Sequence, residues 1–258
     1  MELIDTHSHI YDEAFDDDFG QVVSRARESG VSALVLPGID ISSYDRMIAA
    51  ADALEGYAYP CIGLHPTSVG PSWREELQFV TDHLGDRRFF AIGEVGLDFH
   101  WSDEFGREQI EVFENQIELA AEKDLPLIIH LRDATEQMLR VLEDMKGVPI
   151  KGTMHAFSGS YEIYKQYLKY GDFKFGIGGV STYKNAGVAL TIEKMSLSDI
   201  ILETDCPWLT PVPHRGERNE SAYVRFVAEK VASIKGITVE EVAAVTSAGA
   251  RSLFNLQS

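Results

Sequence analysis

Short apolar runs recur along this 258-residue chain at intervals long enough to hold a helix, and that alternation constrains the fold more than any other feature. The runs are ELID (2–5), VSALVLP (31–37), YAYPCIGL (57–64), FFAIGEV (89–95), PLIIHL (126–131), PIKGTMH (149–155), FKFGIGG (173–179) and DIILETD (199–205). Most are continuous, rich in β-branched and aromatic residues, and bounded by Gly, Pro, Asp or Asn. Strands buried on both faces read this way. Between them, 104–124 places Phe105, Ile110, Phe113, Ile117, Leu119 and Ala120 near an i, i+3, i+4 rhythm, which predicts an amphipathic helix. Stretches 16–29, 41–55, 72–85, 133–146, 160–170, 185–196 and 221–235 read similarly. A last helix is expected over 238–254, opened by Thr238 and Glu241 at capping-box spacing.

Strands alternating with helices predict a parallel sheet with crossover helices. The length fits a closed (β/α)8 TIM barrel occupying 1–258 as one domain. A doubly wound sheet is the alternative, and it usually carries a Gly-rich turn after its first strand. Here THSHIYDE follows the first run, and FGIGGVS near 175–181 has Ser181 where the last Gly of such a pattern belongs.

Charge narrows the function. With 23 Lys and Arg against 41 Asp and Glu, the net charge is −18, which argues against a protein that coats nucleic acid through a broad basic surface. Bound divalent cations would invert that sign locally. No apolar run is long enough to span a membrane, and the start MELIDTHSHI does not read as a signal peptide. Cys61 and Cys206 are too few for a disulfide framework, so a reduced, cytoplasmic setting is expected.

The polar residues that interrupt the apolar runs fall in one register. His7 and His9 end the first predicted strand, His65 the third, Glu94 the fourth, His130 the fifth, His155 the sixth and Asp205 the eighth. Barrel active sites are assembled at the carboxyl ends of strands. Residues i and i+2 of a strand share a face, so His7 and His9 would point together, with Asp5 as a supporting partner. Glu94 is an acid inside the apolar run AIGEVGLDFH; its structural alternative is a buried ion pair with Arg87, Arg88 or Arg132. Gly93 and Gly96 would let the backbone approach something closely. Asp98 reads as a cap or a supporting group.

Each remaining candidate also has a plain structural reading. His130 and His155 could be core histidines satisfied by carbonyls. Asp205 could be a cap, though Pro207 and Pro211 favour an extended loop there. His65, in GLHP, is expected beside the site as a supporting or substrate-contacting group. His83 reads as a surface residue, and His100 and His214 are unassigned. No partner arrangement marks Cys206 as a nucleophile. Four histidines and two carboxylates suit a binuclear hydrolytic centre in which Glu94 bridges and Asp205 orients the attacking water. Mixed N and O ligands admit Zn, Mn, Mg or Fe.

These residues sit in motifs that run nearly the length of the chain: DTHSH (5–9), GLHP (63–66), GEVGLD (93–98), LPLIIHLRDA (125–134), HAFSGS (155–160), GIGG (176–179), ETDCPWLTP (203–211) and RGERNE (215–220). Together they resemble the TatD-type metal-dependent deoxyribonucleases of the amidohydrolase-like barrels. The resemblance implies metal ligands at His7, His9, Glu94, His130, His155 and Asp205, the set reached above from strand ends. It implies hydrolysis of DNA phosphodiesters with Mg or Mn (Zn also fits the ligands), trimming from 3′ ends, with a preference for single strands. A monomer or weak oligomer is expected. Arg132, Arg215 and Arg218 are the candidates for phosphate contacts, the alternative being surface cations paired with carboxylates. The chain departs from the family pattern at Ala156, where Cys is frequent, at Ser221, where Pro is frequent, near Gly249, where Asn is frequent, and at His100 and Trp101.

Two other readings stand beside this one. A barrel hydrolase of a small ester, lactone, amide or phosphoester is the first, although such barrels often use a carboxylated Lys on the fourth strand, where Glu94 stands here. A catalytically idle metal-binding protein is the second, and the intact ligand set argues against it.

Overall fold

The computed structural model describes residues 1–256. Among these, the strands are β1 (Leu3–Asp5), β2 (Val31–Leu36), β3 (Ala58–Pro60), β4 (Ile92–Asp98), β5 (Leu127–Arg132), β6 (Lys151–Met154), β7 (Asp172–Ile177) and β8 (Ile200–Leu202). All pair in parallel, in the orders β1-β2-β3 and β4-β5-β6-β7-β8. Single bridges join the two arcs into a ring, Ser8 with Cys206 at one seam and Ile62 with Ile92 at the other. Backbone bonds support each seam: Thr6 N donates to Leu202 O at 3.0 Å, and Gly93 N to Ile62 O at 2.9 Å. The fold is a (β/α)8 barrel, as the alternation predicts.

The helices α1 (Phe19–Glu28), α2 (Ile41–Ala53), α3 (Trp73–His83), α4 (Gly106–Lys123), α5 (Thr135–Asp144), α6 (Tyr161–Tyr167), α7 (Val188–Lys194) and α8 (Val224–Lys235) follow the strands in turn, and α9 (Val239–Phe254) is added at the end. Their apolar faces pack on the strands; α4, for instance, buries Val112, Phe113, Ile117 and Ala120. Thr238 caps α9 by accepting from Glu241 N at 3.1 Å. A second buried cluster unites Ile4, Val35, Cys61, Ile128 and Ile201 of the strands with Ala250 and Phe254 of α9. Since Ser247 of α9 donates to Glu2 O and Arg88 donates to Asn255 O, this helix plugs the end of the barrel where strands begin. The opposite end is left for the site. No helix among the described residues is long and apolar enough to cross a membrane.

Two expectations are corrected by the strand bounds: His130 does not end the fifth strand, which runs on to Arg132, and Glu94 does not end the fourth. β4 runs on to Asp98, and Glu94 lies within it. Gly93 pairs with Ile128 and Val95 with Ile129, so Glu94 is an extra residue with no partner on β5. Such a bulge re-aims a side chain without ending the strand. The two glycines allow it. A Cβ on Gly93 would lie 2.5 Å from Ile128 Cβ, and Gly96, at φ +133°, would put one 2.1 Å from His130 O. What the backbone approaches closely is therefore β5.

Candidate metal centre

The open end of the barrel brings His9, His65, Glu94, His130, His155 and Asp205 together around a cavity of about 620 Å³, with His7 buried against Glu94. Glu94 is the hub. Its Oε2 lies 3.0 Å from His7 Nε2 and 3.7 Å from His9 Nε2. Its Oε1 lies 2.9 Å from His130 Nδ1, 3.5 Å from His65 Nε2 and 3.8 Å from His155 Nε2. One carboxylate thus serves two sets of imidazoles, one per oxygen. Asp205 Oδ1 stands 3.6 Å from His9 Nε2, 3.7 Å from His7 Nε2 and 3.8 Å from His155 Nε2.

The loops that carry these groups are pinned by backbone. His9 N donates to Cys206 O at 3.0 Å and Asp205 N to His7 O at 2.9 Å, so the loops after β1 and β8 fix one another. Asp205 takes φ +59°, a left-handed conformation that Asp tolerates better than most residues. Strain of this kind persists where the surroundings over-determine it, and it concentrates at functional sites. Asp5 does not touch an imidazole. It accepts from Thr204 N at 2.8 Å and Thr204 Oγ1 at 2.6 Å, bracing β1 against the segment after β8. Burial pushes its carboxyl up to about 7.

A second ring of polar groups orients the histidines. Asp98 Oδ2 lies 2.9 Å from His130 Nε2. Glu203 Oε1 lies 3.0 Å from His155 Nδ1 and accepts from Ala156 N at 2.6 Å. Tyr11 Oη lies 2.8 Å from His9 Nδ1 and donates to Pro37 O. Sequence reasoning missed Tyr11 and Glu203. Tyr11 extends the alternation of His7 and His9 by one more step, and Glu203 is a second acid in the apolar run that delivers Asp205; both were available as signals.

Electrostatics favour cations in this site. Burial alone would raise the Glu94 carboxyl, but His7, His65 and His155 around it and the His130 hydrogen bond hold it well below the ordinary carboxylate value. Asp205 is likewise held low, because His155, His9 and His7 outweigh its burial. Burial lowers the His7 and His65 imidazoles against the pull of the Glu94 carboxylate, a direction that favours the neutral form a metal ligand needs. Burial works against protonation of His155 and His130 as well, yet their carboxylate neighbours raise them to about 10 and about 9. Among the described residues, no Lys or Arg forms an ion pair with Glu94, Asp98, Glu203 or Asp205. That removes the structural alternative for Glu94: Arg87 pairs with Asp52, Arg88 lies over Phe90 and Arg132 over Trp101.

The donor set fits metal ions. His7 Nε2 and His9 Nε2 converge to 3.0 Å, and His7 Nδ1 is buried without a hydrogen-bond partner. Three groups of ligand atoms lie close enough to hold an ion: His7, His9 and Glu94; His65, Glu94 and His130; and His7, His155 and Glu203.

The other candidates fall outside this cluster. Arg132 lines the cavity. Arg215 lies over the Tyr183 ring, 4.0 Å from its centroid. Arg218 lies over Phe15 and donates to Asp18 and to Ala14 O, so it ties its loop to the turn after β1 and does not face the cavity. His83 stacks on Phe79, His100 Nδ1 lies 2.7 Å from Asp133 and His214 stacks on Tyr223. The buried Cys206 thiol is raised to about 12 by burial, the reverse of what a nucleophile needs.

A parallel barrel with histidines and carboxylates converging at the carboxyl ends of its strands defines a metal-dependent hydrolase. The family model described as TatD related DNase matches residues 4–255, and the chain belongs to that family. It is 39% identical over 98% of its length to 99% of the Bacillus subtilis (strain 168) protein named uncharacterized metal-dependent hydrolase YabD. It is 30% identical over 98% of its length to the whole of the 3′-5′ ssDNA/RNA exonuclease TatD of Erwinia amylovora. Among solved structures, the TatD homologue YJJV from Escherichia coli K12 superposes with a TM-score of 0.89 at 27% identity, over 99% of this chain and 98% of that one.

Proposed function

We propose that this hydrolase is a two-metal exonuclease that removes nucleotides from the 3′ ends of single-stranded DNA. One observation carries the two-metal part: the division of Glu94 between His7 and His9 at Oε2 and His65, His130 and His155 at Oε1. His7, His9, Glu94 and Asp205 would hold one ion, and Glu94, His130 and His155 the other. Bound there, Mg or Mn (or Zn) supplies Lewis-acid charge to phosphate oxygens and lowers the pKa of water. The DNA substrate and its polarity follow from the likeness to the Erwinia exonuclease.

The chain's own groups divide the remaining work. Asp205, ionised and facing the cavity, orients the attacking water and takes its proton. Water adds to phosphorus as the bond to the leaving oxygen breaks. Arg132 at the rim offers charge to the phosphate oxygens. Residues 1–258 are read as one barrel domain, and two free buried cysteines suit a reduced, cytoplasmic setting.

The test is cleavage of a 5′-labelled single-stranded oligonucleotide with Mg or Mn by wild type and Asp205→Asn. A ladder receding from the 3′ end, absent in the variant while DNA is still bound, is the expected result. No cleavage by folded, metal-loaded wild type would reject the reading and direct attention to small esters, lactones and phosphoesters.

A further inference from the structure

Large apolar side chains exposed singly on a surface need no explanation, but a group of them around a reactive cluster does. Trp101 is 75% exposed and Trp208 48%, and both line the cavity that holds Glu94 and Asp205. Leu209, next to Trp208 in the chain, is exposed and lines the same cavity. At 75% exposure, Trp101 adds little to the core, so burial does not account for it. Its ring carries Arg132 5.3 Å from the centroid and meets the His100 ring edge-on at 4.9 Å, and three quarters of the residue still faces solvent. Trp208 holds its ring 5.3 Å from that of His9, at the edge of the ligand cluster.

Charge sharpens the point. Among the described residues that line this cavity Arg132 is the only Lys or Arg, in a chain of net charge −18. A polyanion cannot be held along its backbone by one guanidinium. Beyond the metal centre, and apart from Arg132 and the hydroxyls of Thr67 and Ser158, the lining offers mainly apolar and aromatic surface, which suits the uncharged part of a single strand, its unpaired bases. Aromatic faces take any base, because every base has a π-face.

We propose that Trp101 and Trp208 are stacking faces for the nucleobases that flank the scissile phosphate, with Arg132 set between ring and phosphate. This rests on the exonuclease reading above. It makes end recognition a matter of a few stacked bases, tolerant of sequence.

The test compares 5′-labelled oligonucleotides whose last two 3′ nucleotides carry bases with the same strands ending in two abasic (tetrahydrofuran) nucleotides. Wild type is expected to show a KM lower on the base-bearing end by on the order of tenfold or more, similar for all four bases. In Trp101→Ala and Trp208→Ala the ratio of the two KM values collapses toward one, and Trp101→Tyr and Trp208→Phe restore it. Equal KM values for both ends with wild type would overturn the proposal and leave the exonuclease reading standing. So would an alanine variant that impairs both substrates alike with the ratio unchanged, since that marks a structural role. Failure of metal-loaded wild type to cut either end would overturn both.

Discussion

Tyr11 Oη stands 2.8 Å from His9 Nδ1 while giving its own proton to the carbonyl of Pro37. With that proton committed, the hydroxyl can only accept from the imidazole. His9 therefore carries its proton on Nδ1 and turns the lone pair of Nε2 toward Glu94 and Asp205. Tyr11→Phe removes the acceptor and frees the ring to rotate or change tautomer. Metal affinity is expected to fall about tenfold or more, with folding intact. Calorimetric titration of metal into stripped protein measures this, and an unchanged affinity would refute the role.

Glu94→Gln keeps the volume of the hub and removes its charge. One of the two imidazole sets then faces an amide in place of a carboxylate. The bound metal is expected to drop from a pair of ions to a single ion, with turnover lost. Elemental analysis of the purified variant decides it; full occupancy would contradict a bridging role.

Removing metal should also loosen the fold. A ligand that binds only the native state stabilises it by about 2.7 kcal/mol at a free concentration of 100 Kd. Thermal melting with and without chelator is expected to show a lower midpoint in chelator, restored by Mg or Mn. Identical melting curves would mean that no ion is held.

Gly96→Ala tests the close approach of β4 to β5. A Cβ there would lie 2.1 Å from His130 O at φ +133°. A stability loss of about 2 kcal/mol or more is expected, read from the urea midpoint. Because the displaced neighbour is His130, metal affinity should fall as well. A neutral substitution would show that the bulge can relax freely.

Arg218→Leu separates the strap from the site. The Arg218 hydrogen bond, more than the Arg25 one, holds the Asp18 carboxyl below its ordinary value. A carboxyl with a depressed folded value contributes stability above its unfolded value, near pH 4, and loses it as pH falls through the folded value. The variant is expected to lose about 0.5–1 kcal/mol near pH 7, with the difference narrowing in acid. Turnover on DNA should change little, whereas a large rise in KM would return Arg218 to the phosphate contacts.

The pattern of runs and amphipathic stretches made the barrel legible, because strands shielded on both faces have few other ways to read. The seven residues that converge were legible for a related reason: each follows or interrupts an apolar run, Glu94 and His130 from inside it. Glu94 was placed at the right depth but in the wrong backbone setting, since a bulge depends on the partner strand and leaves no local mark. Arg218 matched a motif, yet its partners Asp18 and Ala14 lie about two hundred positions away in sequence, beyond what spacing can show. Tyr11 and Glu203 left fainter marks, a further step in the alternation of His7 and His9 and a second acid beside Asp205.

The ring is paired as a full ladder within each of its two arcs and joined between them by one bridge and a few backbone hydrogen bonds at each seam. His7 and His9 hang from the shorter arc, and Glu94, His130, His155 and Asp205 from the longer. An ion shared by His7 and Glu94 would therefore work as a clasp, fastening one half of the staves to the other. Catalytic competence and mechanical closure would then be one property, and a mutation far from the mouth that slackens either joint would first be noticed as an enzyme that leaks its metal.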